Sequence, residues 1–320
     1  MPRTPFTAAL LLGLASLSWA QEQVAVRFEV NDALVKERNL PDVEVAVKTS
    51  ADGEPIASGR TDATGSWATE LPRGTCYVTY AHPGYVTIED TEVEVREAGQ
   101  VVTISLLPAL ESEGGEEGEA GEAVPLRVEL ILNWGSDPDT QVKDADSHLW
   151  VAGNQAHVYF AHKEDTAPNG SPLALDVDDM DWGGPETITL TDSPPGEYVY
   201  WVHDYSGGDE HLGASDVVVR LIEGNLLVAE YRCDPAVDAR LWRPFKSLTI
   251  DDAHQLTIVD WTAEEIAAGA PVHLPDAVEG AIRADEGAGL SLSEAMACTG
   301  TFLAVVIALL VAGFLFGKAL

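Results

Sequence analysis

The sequence has few basic residues. It contains 18 Lys and Arg against 53 Asp and Glu, which gives a formal net charge of −35 at pH 7. Proteins that bind nucleic acids contact phosphates with Lys and Arg, so this balance excludes nucleic acid as a partner. Such an excess of negative charge causes electrostatic repulsion within the protein at low salt. A salty environment or bound divalent cations would relieve the repulsion, and an acidic, solvated surface is the simpler explanation.

Cysteine is scarce as well, with three residues in the chain. Three cysteines do not make the disulfide framework that small secreted domains use. Cys76 and Cys233 fall in different predicted domains, and we expect both to be buried thiols rather than a disulfide. Cys298 lies at the start of a hydrophobic tail, where it would be lipid-modified or inert.

The motifs of common hydrolases and zinc enzymes are absent from the sequence. There is no HExxH pair and no Gly-x-Ser-x-Gly segment. His157 and His162 are five residues apart, which places them on opposite faces of a strand. Three other histidines lie in separate segments: His148, His203 and His211. We therefore predict a protein that is not an enzyme, and the sequence argues against a transition-metal site.

The two ends of the sequence are typical of targeting and anchoring segments. Residues 1–20 combine a positive start, an apolar run over 6–17 and the small residues of a signal peptidase site at 18–20. Residues 296–317 form an uncharged apolar stretch, long enough to cross a hydrocarbon core of about 30 Å as a transmembrane helix. A cleaved sorting or GPI signal is the alternative for this tail. Either way, we expect a membrane anchor and a body outside the cytoplasm, on the cell surface or in the periplasm.

Residues 21–108 alternate apolar and polar side chains with the period of a β-strand. Turn sequences such as Pro83-Gly84 separate the runs. The positions expected on the buried face are Val24, Val26, Phe28 and Val30; Val43, Val45 and Val47; Cys76, Val78 and Tyr80; and Val102, Ile104 and Leu106. Short strands separated by turn sequences predict an all-β sandwich.

Four short segments of this region fit a known pattern. They are LPDVEV at 40–45, TDATG at 61–65, LPRGTCY at 71–77 and GY at 84–85. Together they resemble the carboxypeptidase regulatory-like (transthyretin-like) domain, although Cys76 is an extra residue before the family's Tyr. The resemblance implies a seven-stranded sandwich that accompanies other domains and carries no catalysis.

The rest of the chain divides where its composition changes. Residues 109–124 are an acidic linker, because their centre is made of Ser, Glu, Gly and Ala with no large apolar side chain to bury. Residues 125–261 predict a second β-sandwich, and residues 262–295 predict a stalk with one short helix over 263–268. The strands expected in the second sandwich are 128–132, 149–151, 157–160, 187–190, 198–202, 217–219 and 256–259.

Acidic side chains concentrate in two segments of the second predicted sandwich, 137–148 and 176–186. Residues two apart in an extended chain point the same way, so Asp144 and Asp146 share a face, as do Asp176 and Asp178, and Asp179 and Asp181. Converging carboxylates repel one another unless a cation lies between them, and Ca²⁺ accepts six to eight oxygen ligands in irregular loops. The spacing is not that of an EF-hand, and a solvated acidic loop is the alternative. The hypothetical Ca²⁺ ligands are Asp144, Asp146, Asp176, Asp178, Asp179 and Asp181.

The acidic segments also fit a second pattern. DADSHLW at 144–150, LDVDD at 175–179 with GPETI at 184–188, and GEYVYWVHDY at 196–205 have the order and spacing of YfaP/DUF2135-like bacterial domains, which they resemble. More distantly, they are similar to the pre-peptidase C-terminal sandwich, some members of which bind calcium. The resemblance implies a fold and an envelope setting without a settled activity.

These observations predict a membrane-anchored extracytoplasmic binding or adhesion protein. Its partner would be an envelope protein or glycan, and Ca²⁺ would make the second sandwich rigid. The alternatives are an accessory module of an extracytoplasmic hydrolase and a purely structural surface spacer. Aromatic residues of the second sandwich are expected in its core rather than on a sugar-binding face: Trp134, Trp150, Trp182, Tyr198, Tyr200 and Trp201.

Overall fold

The computed structural model describes residues 22–110, 127–137, 141–153, 156–192, 194–206 and 211–280. The described chain is all-β, with its strands grouped in four sheets and a few short helical segments. The predicted signal peptide, the tail at 296–317 and nearly all of the acidic linker lie outside the described residues. Within the residues described, no helix is long and apolar enough to span a membrane.

The first unit contains seven strands, the number that the first resemblance implies. One sheet has the order β4-β1-β7, in which β1 and β7 run parallel, and the other has the order β3-β2-β5-β6. The strands are β1 (Gln23–Asp32), β2 (Glu44–Lys48), β3 (Ala57–Arg60), β4 (Ser66–Pro72), β5 (Gly74–Ala81), β6 (Ile88–Val95) and β7 (Gln100–Leu106).

The apolar faces predicted from the period of two form the core of the first unit. On β1, Val26, Phe28 and Val30 are at most 1% exposed, while the intervening positions face outward or are half-buried. Cys76 on β5 is buried as a free thiol, as predicted, and Cys233 in the second unit is too. Alternation therefore predicted the buried faces of β1, β2 and β5, because a strand packed on one side must place every second residue inside. On β7 the alternation is lost, since Val102 is half-buried and Ser105 is buried together with Ile104 and Leu106.

The second unit contains twelve strands in two six-stranded sheets. One sheet has the order β10-β9-β14-β18-β19 with β17 paired to β14, and the other has the order β11-β12-β13-β8-β15-β16. The strands are β8 (Val128–Asn133), β9 (Ala145–Val151), β10 (His157–Val158), β11 (Glu164–Thr166), β12 (Pro172–Val177), β13 (Glu186–Leu190), β14 (Gly196–Asp204), β15 (Val218–Glu223), β16 (Leu226–Arg232), β17 (Leu241–Trp242), β18 (Ser247–Ile250) and β19 (Leu256–Val259). The predicted strand at 157–160 is shorter than expected, and β11, β12, β16, β17 and β18 were not predicted.

The central strands β13, β8 and β15 of their sheet are buried on both faces. Leu130 and Leu132 lie in the core of the second unit, whereas Ile131 and Ile222 join the apolar cluster of the first unit. Every residue of β8 is consequently buried. The two units share this interface rather than being joined by the linker alone.

Polar contacts cross the same interface. Thr187 Oγ1 on β13 donates to the Ala33 carbonyl at 2.5 Å. The Arg220 guanidinium, on a residue that is 3% exposed, lies 3.3 Å from Thr91 Oγ1 of the first unit and 2.8 Å from Glu230 Oε2 of its own unit. A buried charge of this kind is stable only when it is paired.

Part of the segment predicted as a stalk packs against the second unit. Helix α1 (Ala263–Ala267) begins with a capping box between Thr262 and Glu265, at the predicted place. Farther along, Val278 is fully buried and lies in an apolar cluster with Trp150 and Trp201 on the outer face of the sheet that contains β9. Residues 281–295 of the predicted stalk lie outside the described residues.

Candidate functional site

Three carboxylates from the two sheets of the second unit converge where three strands begin or end. Asp146 lies near the start of β9, Asp178 directly follows β12, and Glu186 is the first residue of β13. One oxygen atom from each side chain lies within 4.8 Å of the others. We call Asp146, Asp178 and Glu186 the carboxylate cluster.

Glu186 belongs to the cluster because of its place in the strand alternation. Ile188 and Leu190 face the core of the second unit, and Glu186 precedes Ile188 by two positions, so its side chain points the same way. One Glu186 oxygen accepts a hydrogen bond from the Ser147 backbone N–H on β9. This bond ties the start of β13 to a strand of the opposite sheet.

The cluster contains buried oxygen atoms that no donor reaches. Glu186 is fully buried, and its Oε1 atom has no hydrogen-bond partner. The same is true of Oδ2 of Asp146, a residue that is 2% exposed, and of Oδ1 of Asp178. Burying an ionised carboxylate without a partner is strongly unfavourable. The cluster therefore needs bound protons or a bound cation.

Burial and mutual repulsion raise the pKa values of Asp146, Glu186 and the neighbouring Asp144. Burial raises the pKa of Asp146 to about 8, with the charges of Asp144 and Asp178 adding to the effect. The pKa of Asp144 rises to about 6, first through burial and then through Asp178. Burial and the neighbouring Asp146 hold the pKa of Glu186 well above its usual range. Without a cation, Asp146 and Glu186 hold their protons to a higher pH than exposed carboxyl groups do, and a divalent ion would displace those protons.

Lysine side chains contact the edge of the cluster rather than its centre. Lys163 Nζ lies 2.5 Å from Asp178 Oδ2, and Lys36 Nζ donates to the Asp178 carbonyl at 3.0 Å. Across the described part of the chain, no ion pair joins a basic side chain to Asp146 or Glu186. The centre of the cluster is left without a protein cation.

The structure brings together some of the predicted calcium ligands. Asp146 and Asp178 are members of the cluster, and Asp144 lies close enough to influence the pKa of Asp146. Asp144 also has a buried oxygen, Oδ1, without a partner. Three predicted ligands lie outside this group: Asp176, Asp179 and Asp181.

The three outlying aspartates have other surroundings. Asp176 lies next to Thr189, which donates to its carboxylate, and the Arg127 charge acts on it as well. Asp179 forms an ion pair with Lys36 at 3.4 Å. The Asp181 side chain is 70% exposed and lies 3.3 Å from Lys143. Their charges are already paired, solvated or satisfied by a hydrogen bond.

Sequence reasoning missed Glu186 as a ligand. Glu186 ends the second acidic segment, 176–186, but was not among the predicted ligands. The strand periodicity carries a usable signal, because a charged residue occupies a position that Ile188 and Leu190 mark as core-facing. A charged side chain at such a position is rarely buried without a partner. The contact with Asp146 itself follows from the packing of two sheets and has no local signal.

Two histidines that are far apart in sequence also meet beside Asp146. Strand β9 pairs antiparallel with β14, so that His203 lies opposite Asp146 and Trp201 lies opposite His148. One ligand atom from each of Asp146, His148 and His203 lies within 4.8 Å of the others. We call His148 and His203 the histidine pair. The spacing of the histidines along the sequence argued against a transition-metal site, because that spacing does not show which residues face each other on neighbouring strands.

Most of the aromatic residues expected in the core are buried, but the loops around the cluster expose apolar side chains. Trp134, Tyr198 and Tyr200 are at most 1% exposed. By contrast, Trp182 is 38% exposed in the loop that follows Asp178, where Met180 is 58% exposed. Tyr205, directly after β14, is 54% exposed.

Comparisons with known proteins found limited similarity to several solved structures. No family model matches the chain, and no curated protein matches it. A crystal structure of a protein of unknown function is 20% identical, over 43% of this chain and 88% of that one, with a TM-score of 0.33. The Bacillus anthracis TIE protein is 15% identical over 58% of this chain and 29% of its own length, with a TM-score of 0.24. The shaft pilin SpaA from Lactobacillus rhamnosus GG is 11% identical over 67% of this chain and 94% of its own, with a TM-score of 0.23.

Proposed function

We propose that this chain is a non-enzymatic binding protein, tethered to a membrane outside the cytoplasm, whose second sandwich binds Ca²⁺ in the carboxylate cluster. The ligands would be Asp146, Asp178 and Glu186, with Asp144 as a further oxygen donor. The ion would hold the two sheets of the second unit together at the end where these residues meet.

One observation carries this proposal: Glu186 Oε1 is buried, no N–H or hydroxyl group donates to it, and two further carboxylates face the side chain, of which Asp178 is close enough to share a proton with Glu186. Protons are the alternative way to neutralise the cluster, and the pKa of Asp146, which burial raises to about 8, is in keeping with that alternative. A divalent ion neutralises two charges at once and satisfies several oxygens. It is therefore expected to compete well at neutral pH.

The ligand chemistry favours calcium over other cations at this cluster. All the available donor atoms are carboxylate oxygens, which suit hard cations. Asp178 lies in an irregular loop, and Ca²⁺ tolerates irregular geometry, whereas Mg²⁺ demands a near-ideal octahedron. The strongly acidic composition, with a net charge of −35, agrees with a protein that uses divalent cations to offset its charge.

A calcium ion at this place would order the loops that expose Met180, Trp182 and Tyr205. Asp178 begins the first of these loops, and β14 ends at Asp204 just before Tyr205. Exposed aromatic side chains beside polar groups are typical of surfaces that bind proteins or glycans. The proposed role of the ion is therefore structural, and the proposed binding partner is an envelope protein or glycan.

The experiment is a thermal denaturation of the full-length protein, purified in detergent and treated with EDTA. Adding 1 mM Ca²⁺ should raise the Tm, because an ion that binds only the folded state at a hundred times its Kd adds about 2.7 kcal/mol of stability. For a protein of this size, that corresponds to roughly 5–10 °C.

Two variants locate the effect. Glu186→Gln should abolish the Ca²⁺ response while its Tm in EDTA stays at or above that of the wild type, since a neutral amide mimics the protonated acid. Asp181→Asn is the matched control, because its exposed side chain lies outside the cluster, and it should respond like the wild type. A wild-type Tm that 10 mM Ca²⁺ does not change, or an equal loss of response in both variants, would overturn the proposal.

A further inference from the structure

The outer face of the sheet that contains β9 and β14 holds a group of side chains that the calcium proposal does not use. Asp146 and His148 are two apart on β9 and so project from the same face. The register of β9 and β14 places His203 directly opposite Asp146 on that face. Strand pairing therefore gathers one carboxylate and two imidazoles, with ligand atoms all within 4.8 Å of one another.

His148 is held rigidly with one ring nitrogen unused. The residue is 8% exposed, and its Nδ1 atom lies 3.1 Å from Nε2 of His157, within hydrogen-bond distance. Its ring stacks on Trp201 at 4.9 Å between centroids and on Tyr159 at 5.4 Å. The remaining nitrogen, Nε2, is buried and has no hydrogen-bond partner.

This arrangement has the form of a metal-binding histidine. Histidines that bind metals usually bond through the other ring nitrogen to a second group, which fixes the ring and its tautomer. His157 occupies that second position for His148. A buried polar nitrogen that is left unpaired beside a carboxylate and a second imidazole points to a ligand between them.

We propose that His148, His203 and Asp146 form a second cation site, which takes a transition metal of the Zn²⁺ class. Imidazole nitrogen with one carboxylate oxygen suits Zn²⁺ and its neighbours rather than Ca²⁺, which prefers an all-oxygen shell. In a tetrahedral zinc site, metal–ligand distances of about 2.0 Å place the ligand atoms about 3.3 Å apart. The three ligand atoms lie within 4.8 Å of one another, so Asp146 and His203 would move toward the fixed ring of His148 on binding.

The second site goes beyond the proposed function and does not depend on it. Only Asp146 is common to both groups, and a carboxylate has two oxygens. Three protein ligands leave a fourth tetrahedral position for water or for a donor atom of a bound partner.

The test uses the full-length protein without a polyhistidine tag, stripped with EDTA and then saturated with Ca²⁺ so that the carboxylate cluster is filled. Zn²⁺ is titrated by calorimetry, and Co²⁺ is titrated in parallel because a four-coordinate Co²⁺ ion has a characteristic visible absorption. The wild type should bind one Zn²⁺ per chain with micromolar or tighter Kd and should show the Co²⁺ band.

His203→Gln should weaken Zn²⁺ binding by at least tenfold and remove the Co²⁺ band. Its Tm increase with Ca²⁺ should remain that of the wild type, which also shows that the variant folds. The matched control is His162→Gln, because that side chain is 55% exposed and outside the group, and it should bind Zn²⁺ like the wild type.

Glu186→Gln separates this proposal from the calcium proposal, since it should lose the Ca²⁺ response and keep Zn²⁺ binding. Wild-type protein that binds no Zn²⁺, or His203→Gln protein that binds it as tightly as the wild type, would overturn the second site and leave the calcium proposal standing. Equal weakening in His162→Gln and His203→Gln would also overturn it.

Discussion

Replacing Arg220 with Met should weaken the contact between the two sandwiches. The Arg220 guanidinium is buried between the units and lies near Glu230 of its own unit and Thr91 of the other. Met retains much of the apolar stem but cannot donate hydrogen bonds. The substitution therefore removes one partner of a buried ion pair and leaves the Glu230 carboxylate behind.

The expected loss of stability is about 3 kcal/mol. Removing one partner of a buried pair typically destabilises a protein by about 3–5 kcal/mol. The lower end applies here, because Arg232 still donates to Glu230 at 2.8 Å. For a folded chain of this size, the Tm should fall by roughly 6–12 °C.

The loss should depend on pH. Burial acts to raise the pKa of Glu230, but Arg220 and Arg232 outweigh it, so the pKa lies below its ordinary value of 4.5. Because the pKa of Glu230 is lower in the folded protein than in the unfolded chain, its ionised carboxylate stabilises the folded state at pH values above the unfolded pKa. This stabilisation is lost as the pH falls through the pKa of the folded state. In Arg220→Met the stabilisation by ionised Glu230 is smaller, because Arg220 no longer lowers the pKa of Glu230. The difference from the wild type should therefore be largest at neutral pH and should narrow below about pH 4.

Urea denaturation followed by circular dichroism measures these differences. The double variant Arg220→Met with Glu230→Gln should recover part of the loss, because it leaves no buried carboxylate without Arg220, and the Arg232 side chain that also loses its partner is 36% exposed. The control is Arg60→Met, which removes an exposed pair with Glu44 and should change stability by less than about 1 kcal/mol. An Arg220→Met loss as small as that of the control, or a double variant no more stable than the single one, would refute the reasoning.

Two further predictions concern a turn and the outer face of the second unit. Gly65→Ala should destabilise the protein by about 1–3 kcal/mol more than Gly84→Ala, as measured by urea denaturation. Both glycines have positive φ, but a Cβ at 65 would lie 2.8 Å from the Val30 carbonyl oxygen, whereas a Cβ at 84 would have no neighbour within 4 Å. Equal losses of stability in the two variants would contradict the packing around Gly65. Val278→Asp should detach the segment around 278 from Trp201, because a charged side chain would replace Val278 in their apolar cluster. The detachment would shift the tryptophan fluorescence emission to longer wavelength and speed up proteolysis of the segment. An unchanged emission spectrum would mean that this segment does not cover the sheet.

Local alternation predicted the first sandwich well. Val26, Phe28 and Val30 were expected on one face of a strand and are buried in the first core. The helix expected at 263–268 is present, because its capping box is a contact between neighbours in sequence. Such features follow from residues a few positions apart, so the sequence contains all the information they need.

Local alternation did not place every acidic residue correctly. Asp176 and Asp178 were expected to share a face, but the pairing of β12 with β13 shifts between Leu175 and Val177, and β12 ends at Val177. Asp178 consequently turns toward Asp146, while Asp176 stays beside Thr189. An irregularity of one residue in a strand reverses the side-chain direction, and no pattern in the sequence marks it.

The sequence by itself determined the all-β class of the described chain, the buried faces of the first sandwich and the concentration of aspartates in two segments. The tertiary structure alone decided which of these aspartates meet, that Glu186 joins them and that His148 and His203 lie beside the same carboxylate. The physical reason is that strand faces depend on alternation along the chain, whereas a binding site depends on pairing register and on the packing of two sheets. Those contacts join residues that are distant in sequence, such as Asp146 and His203 across β9 and β14.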